Sequence, residues 1–137
     1  MTEAQALEAF QAYIDISPFQ RWLGLKVEEV GEGRLVIALQ WREEMVSNPN
    51  TKSMHGGILA SLVDLGGLYA VLTTKSIATA TVDLRVDYHR PSTGGAIRSV
   101  STIIKLGSKV STAQTEIFGE DGKLLASGRG VYLMGNG

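Results

Sequence analysis

One carboxylate inside an otherwise apolar stretch constrains this chain more than any other feature. Between Lys52 and Lys75 the only formally charged side chain is Asp64, and the stretch opens on His55-Gly56-Gly57. Ile58, Leu59, Leu62, Val63, Leu65, Leu68, Val71 and Leu72 fall on every face of a helix drawn through it. That is the pattern of a buried helix, so the spacing predicts one from the glycines to about Thr74. A buried ionised carboxylate without partners costs several kcal/mol or more, so Asp64 must be neutralised, paired or hydrogen-bonded. Desolvation also moves a carboxyl group toward useful acid-base values, which makes Asp64 a candidate site residue. The alternative is an Asp that bonds a neighbouring backbone or caps an adjacent element.

The rest of the chain supplies a sheet for that helix. Residues 3–14 carry Ala6, Leu7, Phe10 and Ile14 at helical spacing and stop at Ser17-Pro18, and a short second turn holds Phe19, Trp22 and Leu23. Residues 26–41 read as a hairpin turning at Gly31-Glu32-Gly33, and the polar run from Ser47 to Ser53 reads as a loop. Four strand-like runs follow, at 81–88, 96–106, 110–118 and 124–133. In the first, Val82, Leu84, Val86 and Tyr88 alternate with Asp83, Arg85 and Asp87, which predicts two opposed faces. The order α-β-β-α-β-β-β-β predicts an α+β fold, one antiparallel sheet with the helix on one face. Gly66-Gly67 inside the helix costs about 1 kcal/mol per glycine relative to Ala, so something must approach closely there. Two readings stand: the sheet, or a ligand or second copy of the helix.

Composition removes several function classes. The chain has 137 residues, 44% apolar and 20% charged, which fits a single domain over 1–137. A net charge of −1 is not the basic field that nucleic acid or an anionic membrane would require. Zero cysteines rule out a disulfide framework and a thiolate nucleophile, and two histidines, His55 and His89, argue against a histidine metal site. No membrane span and no leader-like N-terminus are read, so the expected location is cytoplasmic. Neither histidine has a serine partner at an elbow motif, which disfavours triad chemistry.

At a helix start, Gly56-Gly57 presents unpaired N–H groups at the positive end of the helix dipole, a setting for a developing oxyanion. Asn48 and Asn50 in the preceding loop are possible side-chain donors. The element order, Asn48-Pro49, His55-Gly56-Gly57, Asp64 and the run from Thr81 to Pro91 resemble the hotdog-fold acyl-CoA thioesterases, nearest to the phenylacetate-degradation (PaaI-like) type. The resemblance covers nearly the whole chain after residue 20.

It implies a sheet wrapped around one long central helix, and hydrolysis of an acyl- or aryl-CoA thioester to a carboxylic acid and coenzyme A. It implies no cofactor and no metal. Asp64 would be the catalytic carboxylate, attacking directly or through water; Gly56 would polarise the carbonyl, His55 would orient the loop, and Thr81 would place the water. Asn48 is taken as the loop's substrate contact. Gly57, Arg90, Lys105 and Lys109 would bind substrate, the three basic residues at the coenzyme A phosphates. His89, at a strand end, reads as a surface residue.

Gly56 and Asp64 lie eight residues apart on one helix, about 12 Å at 1.5 Å per residue. One chain cannot bring both to a single carbonyl, so a homodimer with shared sites is expected, alone or as a dimer of dimers (a homotetramer), with Gly66-Gly67 near the interface. The rivals are a hotdog-fold dehydratase or hydratase, in which His55 and Asp64 form a proton-transfer couple, and a non-catalytic acyl-CoA-binding protein.

Overall fold

The computed structural model describes residues 2–135; Met1, Asn136 and Gly137, the ends of the expected 1–137 domain, lie outside the described residues. Helix α1 (Glu3–Ile14) starts with a reciprocal cap: Thr2 Oγ1 accepts from the Gln5 N–H at 3.1 Å, and Gln5 Oε1 accepts from the Thr2 N–H at 2.8 Å. Helix α2 (Pro18–Leu23) is the short turn read at Ser17-Pro18: Ser17 caps it, Pro18 opens it, and Gly24 closes it in a left-handed conformation, φ 72°.

Strands β1 (Lys26–Gly31) and β2 (Arg34–Gln40) form the expected hairpin. The polar loop contains one small correction to the sequence reading: β3 (Val46–Asn48) and β4 (Ser53–Met54) pair as a minute antiparallel ladder. Strands of two and three residues are too short to carry an alternation signal. Helix α3 runs Gly56–Leu72, two residues shorter than predicted, and β5 (Ala78–Tyr88), β6 (Ala96–Lys105), β7 (Val110–Phe118) and β8 (Leu124–Met134) complete the chain.

Six strands form one antiparallel sheet in the order β1-β2-β6-β7-β8-β5, with α3 lying across it. Leu59, Leu62, Val63 and Ala70 of the helix close on Leu35, Ile37, Ile97, Ile117 and Ala126 of the sheet. Each large side chain so buried contributes about 1.5–3 kcal/mol, and this face holds helix and sheet together.

The close approach at Gly66-Gly67 belongs to the sheet. A Cβ on Gly66 would collide with Ser101 Oγ, and one on Gly67 with the Tyr132 hydroxyl. The expectation that the pair marks an interface between helices is corrected accordingly: both glycines are fully enclosed by their own sheet.

The uncovered side of α3 is a stripe. Ala60, Ser61, Asp64, Leu68 and Leu72 are half-buried while their neighbours are buried, and their spacing of three to four residues places them on one helical face. Asp64 is therefore not fully enclosed within one chain, contrary to the sequence expectation, because it sits where the sheet does not reach.

The two faces predicted for residues 81–88 also need correction. Thr81 pairs with Tyr132 and Asp83 with Val131, so Val82 is a bulge with no partner of its own. A bulge inserts one residue and resets the alternation. Thr81 thereby joins Val86 and Tyr88 on the helix-facing side, while Asp83 and Arg85 face outward, Asp83 pairing with Arg129 at 3.0 Å.

Candidate active site

The start of α3 is set by His55. Its Nδ1 accepts the Gly57 N–H at 2.9 Å, its own N–H donates to the Met45 carbonyl at 2.7 Å, and its carbonyl accepts from Ile58 at 3.0 Å. With Nδ1 accepting, the ring proton of the neutral imidazole sits on Nε2. The first helical N–H groups have no partner within the helix. Of the two glycine donors, the Gly57 N–H is engaged by the histidine and the Gly56 N–H makes no hydrogen bond among the described residues. Gly57, expected as a substrate contact, thus has its N–H occupied. From the other side the Tyr88 hydroxyl donates to the Gly56 carbonyl at 2.7 Å.

Two turns along, the Thr81 hydroxyl donates to Asp64 Oδ1 at 2.6 Å, so the threonine expected to place the water lies against the carboxylate itself. Oδ2 has no hydrogen bond among the described residues and lies on the uncovered stripe. The carboxylate's main chain is held from beneath. Tyr132, fully buried on β8, donates its hydroxyl to the Asp64 carbonyl at 2.8 Å and approaches that of Val63 at 3.3 Å. Burial, followed by the charge of Asp64, pushes the Tyr132 phenol well above the usual tyrosine value, so it remains a neutral donor.

Other expected residues are distributed more widely. Asn48 Oδ1 accepts from the Asn50 N–H at 3.0 Å, a local turn that leaves the Asn48 amide nitrogen without a partner among the described residues. Arg90 lines a cavity of about 270 Å³ together with Met54, Gly56, Leu59, Tyr88 and Ser92. Lys105 and Lys109 are exposed at the other end of the sheet: Lys109 accepts from Met134, which pairs with Ala78, whereas Tyr88 pairs with Ala126. The length of β5 separates them from Arg90 in one chain, roughly 33 Å at 3.3 Å per step.

His89 is exposed, as read, with Nε2 2.8 Å from Ser127 Oγ, and among the described residues no carboxylate orients its other nitrogen. Among the described residues no group of three or more metal-ligating side chains converges, and no helix is long and apolar enough to cross a membrane. Tyr88 and Tyr132 were not anticipated from sequence. The paired glycines of α3 were the available signal for Tyr132; nothing marked Tyr88 beyond its place in the strand.

An unpaired N–H at a helix start and a hydroxyl-supported carboxylate on the same helix, under a six-stranded antiparallel sheet, define a hotdog-fold thioesterase. The comparisons agree. The chain belongs to the thioesterase superfamily, whose family model matches residues 51–126. It is 31% identical to the medium/long-chain acyl-CoA thioesterase YigI of Salmonella typhimurium, over 98% of this chain and 97% of that one. A crystal structure of a thioesterase superfamily protein superposes with a TM-score of 0.89 at 45% identity, covering 94% of this chain and 98% of the other. The PaaI protein of Escherichia coli superposes with a TM-score of 0.87 over 100% of this chain and 98% of that one, and its 23% identity speaks to the fold alone.

Proposed function

We propose that the chain hydrolyses medium- to long-chain acyl-CoA at sites shared between two copies, with water as the only co-reactant. The carrying observation is the separation of two necessary groups. The free Gly56 N–H and the free Asp64 Oδ2 stand about two turns apart on one straight helix, about 12 Å. A reacting carbonyl needs both within about 3 Å. A second copy, related by a two-fold axis, supplies the missing group to each site.

Strand β5 is the edge on which we place that axis. It is the outermost strand next to β8, 11 residues long, with Val82 60% and Leu84 36% exposed. A long, partly apolar open edge is a template for a further strand. Antiparallel pairing of two β5 strands about Leu84 sets Asp83 opposite Arg85 of the partner, twice, and opposite charges across a pair are favourable. The same register lays the Thr81 segment of one strand beside the Tyr88 segment of the other. Those segments hold Asp64 and Gly56 through their hydroxyls. It also brings the Lys105 and Lys109 end of one copy toward Arg90 of the other, which supports the expected contact with coenzyme A phosphates. A dimer of dimers would leave these sites unchanged.

In the reaction the thioester oxygen is held by the Gly56 N–H. Asp64 Oδ2 takes a proton from water as its oxygen bonds to the carbonyl carbon. Thr81 fixes the carboxylate through Oδ1, and the collapsing intermediate expels the coenzyme A thiolate, which is then protonated. The half-buried Leu68 and Leu72, continuing along the stripe from Asp64, offer an apolar wall for an alkyl chain; with the name carried by YigI, this favours alkyl over aryl substrates. The cytoplasm is the proposed location.

His55 favours hydrolysis over dehydration, because its Nδ1 is committed to a backbone cap. The test is coenzyme A release from alkyl and aryl thioesters, with and without EDTA, by wild type and Asp64→Asn. Expected is chelator-insensitive turnover, fastest on medium or long alkyl chains, falling about 100-fold or more in the variant, the scale of a general base. Absence of turnover, a metal requirement, or an unaffected variant would overturn the respective part.

A further inference from the structure

Gly56 invites the explanation that a side chain there would block the substrate. The structure gives a different neighbour. A Cβ on Gly56 would stand 3.2 Å from Cε1, Cζ and the hydroxyl oxygen of Tyr88. That is closer than ordinary van der Waals contact, and the atoms belong to a ring whose own position is fixed by the hydrogen bond from its hydroxyl to the Gly56 carbonyl. To admit a Cβ the ring must give by a few tenths of an ångström, and any retreat stretches that bond.

The peptide unit joining Gly56 to Gly57 is consequently held at both ends: its carbonyl accepts from Tyr88 at 2.7 Å and its N–H donates to His55 Nδ1 at 2.9 Å. The preceding peptide meets that unit at the Gly56 Cα, whose φ and ψ can turn the two separately. Its own carbonyl, of His55, accepts from Ile58 at 3.0 Å, so with the following unit clamped both peptides about Gly56 are held. The preceding peptide carries the Gly56 N–H, the one donor left free. Glycine has the widest range of backbone conformations of any residue, so an unrestrained Gly-Gly pair is a poor place for a preorganised donor. Two side chains from outside the helix remove that freedom.

We propose that Tyr88 is a positioning residue for thioester hydrolysis: with His55 it clamps the Gly56–Gly57 peptide so that the Gly56 N–H is aimed at the substrate carbonyl, and its ring is the reason that position 56 is glycine. The catalytic consequence rests on the function proposed above; the steric part does not. Preorganised donors act because no reorganisation is needed as the oxyanion forms, so loosening the clamp acts on turnover rather than on substrate binding. A tyrosine that merely packed against the helix start would give its contribution through stability and leave turnover of the folded protein unchanged. Tyr88 is 55% exposed and lines the same cavity as Gly56 and Leu59, so its phenol also lies where a bound acyl thioester would pass.

Five proteins test this: wild type, Tyr88→Phe, Tyr88→Ala, Gly56→Ala and the Gly56→Ala/Tyr88→Ala double variant, each assayed for melting temperature, kcat and KM. Tyr88→Phe keeps the ring and removes the donor; kcat should fall about 10-fold with KM within about twofold, the signature of an interaction realised in the transition state. Unchanged kcat would overturn the positioning role. Gly56→Ala should lower the melting temperature in the wild-type background and leave it nearly unchanged in the Tyr88→Ala background. An equal drop in both backgrounds would show that the ring is not what excludes a side chain. If wild type turns over no acyl-CoA, the proposed function fails, while the melting-temperature cycle still decides the steric half of the clamp.

Discussion

Mixing two inactive variants should regenerate activity, and the amount is fixed by geometry. Asp64→Ala removes the carboxylate. Gly56→Pro removes the one free N–H at the helix start, and proline suits the first helical position. His55, with φ −57° and ψ 129°, already has the extended conformation required before proline. Each homodimer should lose about 10²-fold or more in kcat, the scale of a missing general base or oxyanion donor. When the two are unfolded together and refolded in equal amounts, about half of the dimers contain one chain of each. In such a dimer one site collects both lesions and the other collects neither. Intact sites then make up about one quarter of the total, so coenzyme A release should return to about one quarter of the wild-type rate per chain. Native mass spectrometry gives the fraction of mixed dimers, which converts directly into the expected rate. Activity remaining at the sum of the two variants, with mixed dimers present, would refute the shared site. Because a proline ring at 56 meets Tyr88, helix content and dimerisation of that variant are measured first.

The remaining expectations concern the scaffold. Leu84→Lys places two ammonium groups at the proposed axis and should shift the protein toward monomer in sedimentation, with loss of turnover; an unchanged dimer would move the axis elsewhere. Gly67→Ala drives a methyl group into the Tyr132 hydroxyl and should cost about 1–3 kcal/mol in urea unfolding, the usual penalty of overpacking; a neutral change would mean that the helix shifts freely on the sheet. Tyr132 is held protonated in the folded chain above its ordinary value of 10.0, so the stability it provides is complete below about pH 10 and is lost as pH rises beyond it. Its share of the decline is about 1.4 kcal/mol per pH unit. Tyr132→Phe should lack that share of the slope, and equal slopes in urea titrations between pH 9 and 11.5 would contradict the assignment.

The elements were legible where one physical signal governed several residues. The apolar run after His55-Gly56-Gly57, interrupted only by the charge of Asp64, announced α3, Ser17-Pro18 announced α2, and the turn glycines separated the strands. Asp64 and Thr81 could be assigned to one site because the family resemblance supplied their roles, whereas the hydrogen bond between them is seen only in the structure. What local pattern could not reveal was the bulge at Val82: hydropathy put Val82 with Leu84 and Val86, and only the pairing with β8 shows the extra residue. Without that residue Thr81 would face outward with Asp83. Gly66-Gly67 signalled close approach without saying by what, since the answer is Ser101 and Tyr132, 35 and 65 residues further along. Tyr88 read as one more inward strand residue. A hydrogen bond from a phenol to a helix carbonyl is decided by the distance between two elements, which no window along the chain contains.

The position of β5 has a consequence for how the protein is made. This strand follows α3 directly in the chain, yet among the described residues its one neighbour in the sheet is β8, residues 124–134. Thr81 and Tyr88, the two side chains that hold Asp64 and the helix start, both hang on it. During synthesis α3 and β5 emerge with no strand for β5 to pair with in its own chain, while β1, β2, β6 and β7 can already pair among themselves. Only when residues 124–134 leave the ribosome does β5 gain a template, and such long-range pairing is the slow kind. The carboxylate and the oxyanion donor are therefore assembled last, by the final strand, and a nascent chain stopped short of it has a partial sheet with no organised site. Until then an apolar helix stays partly uncovered, the species most prone to wrong association.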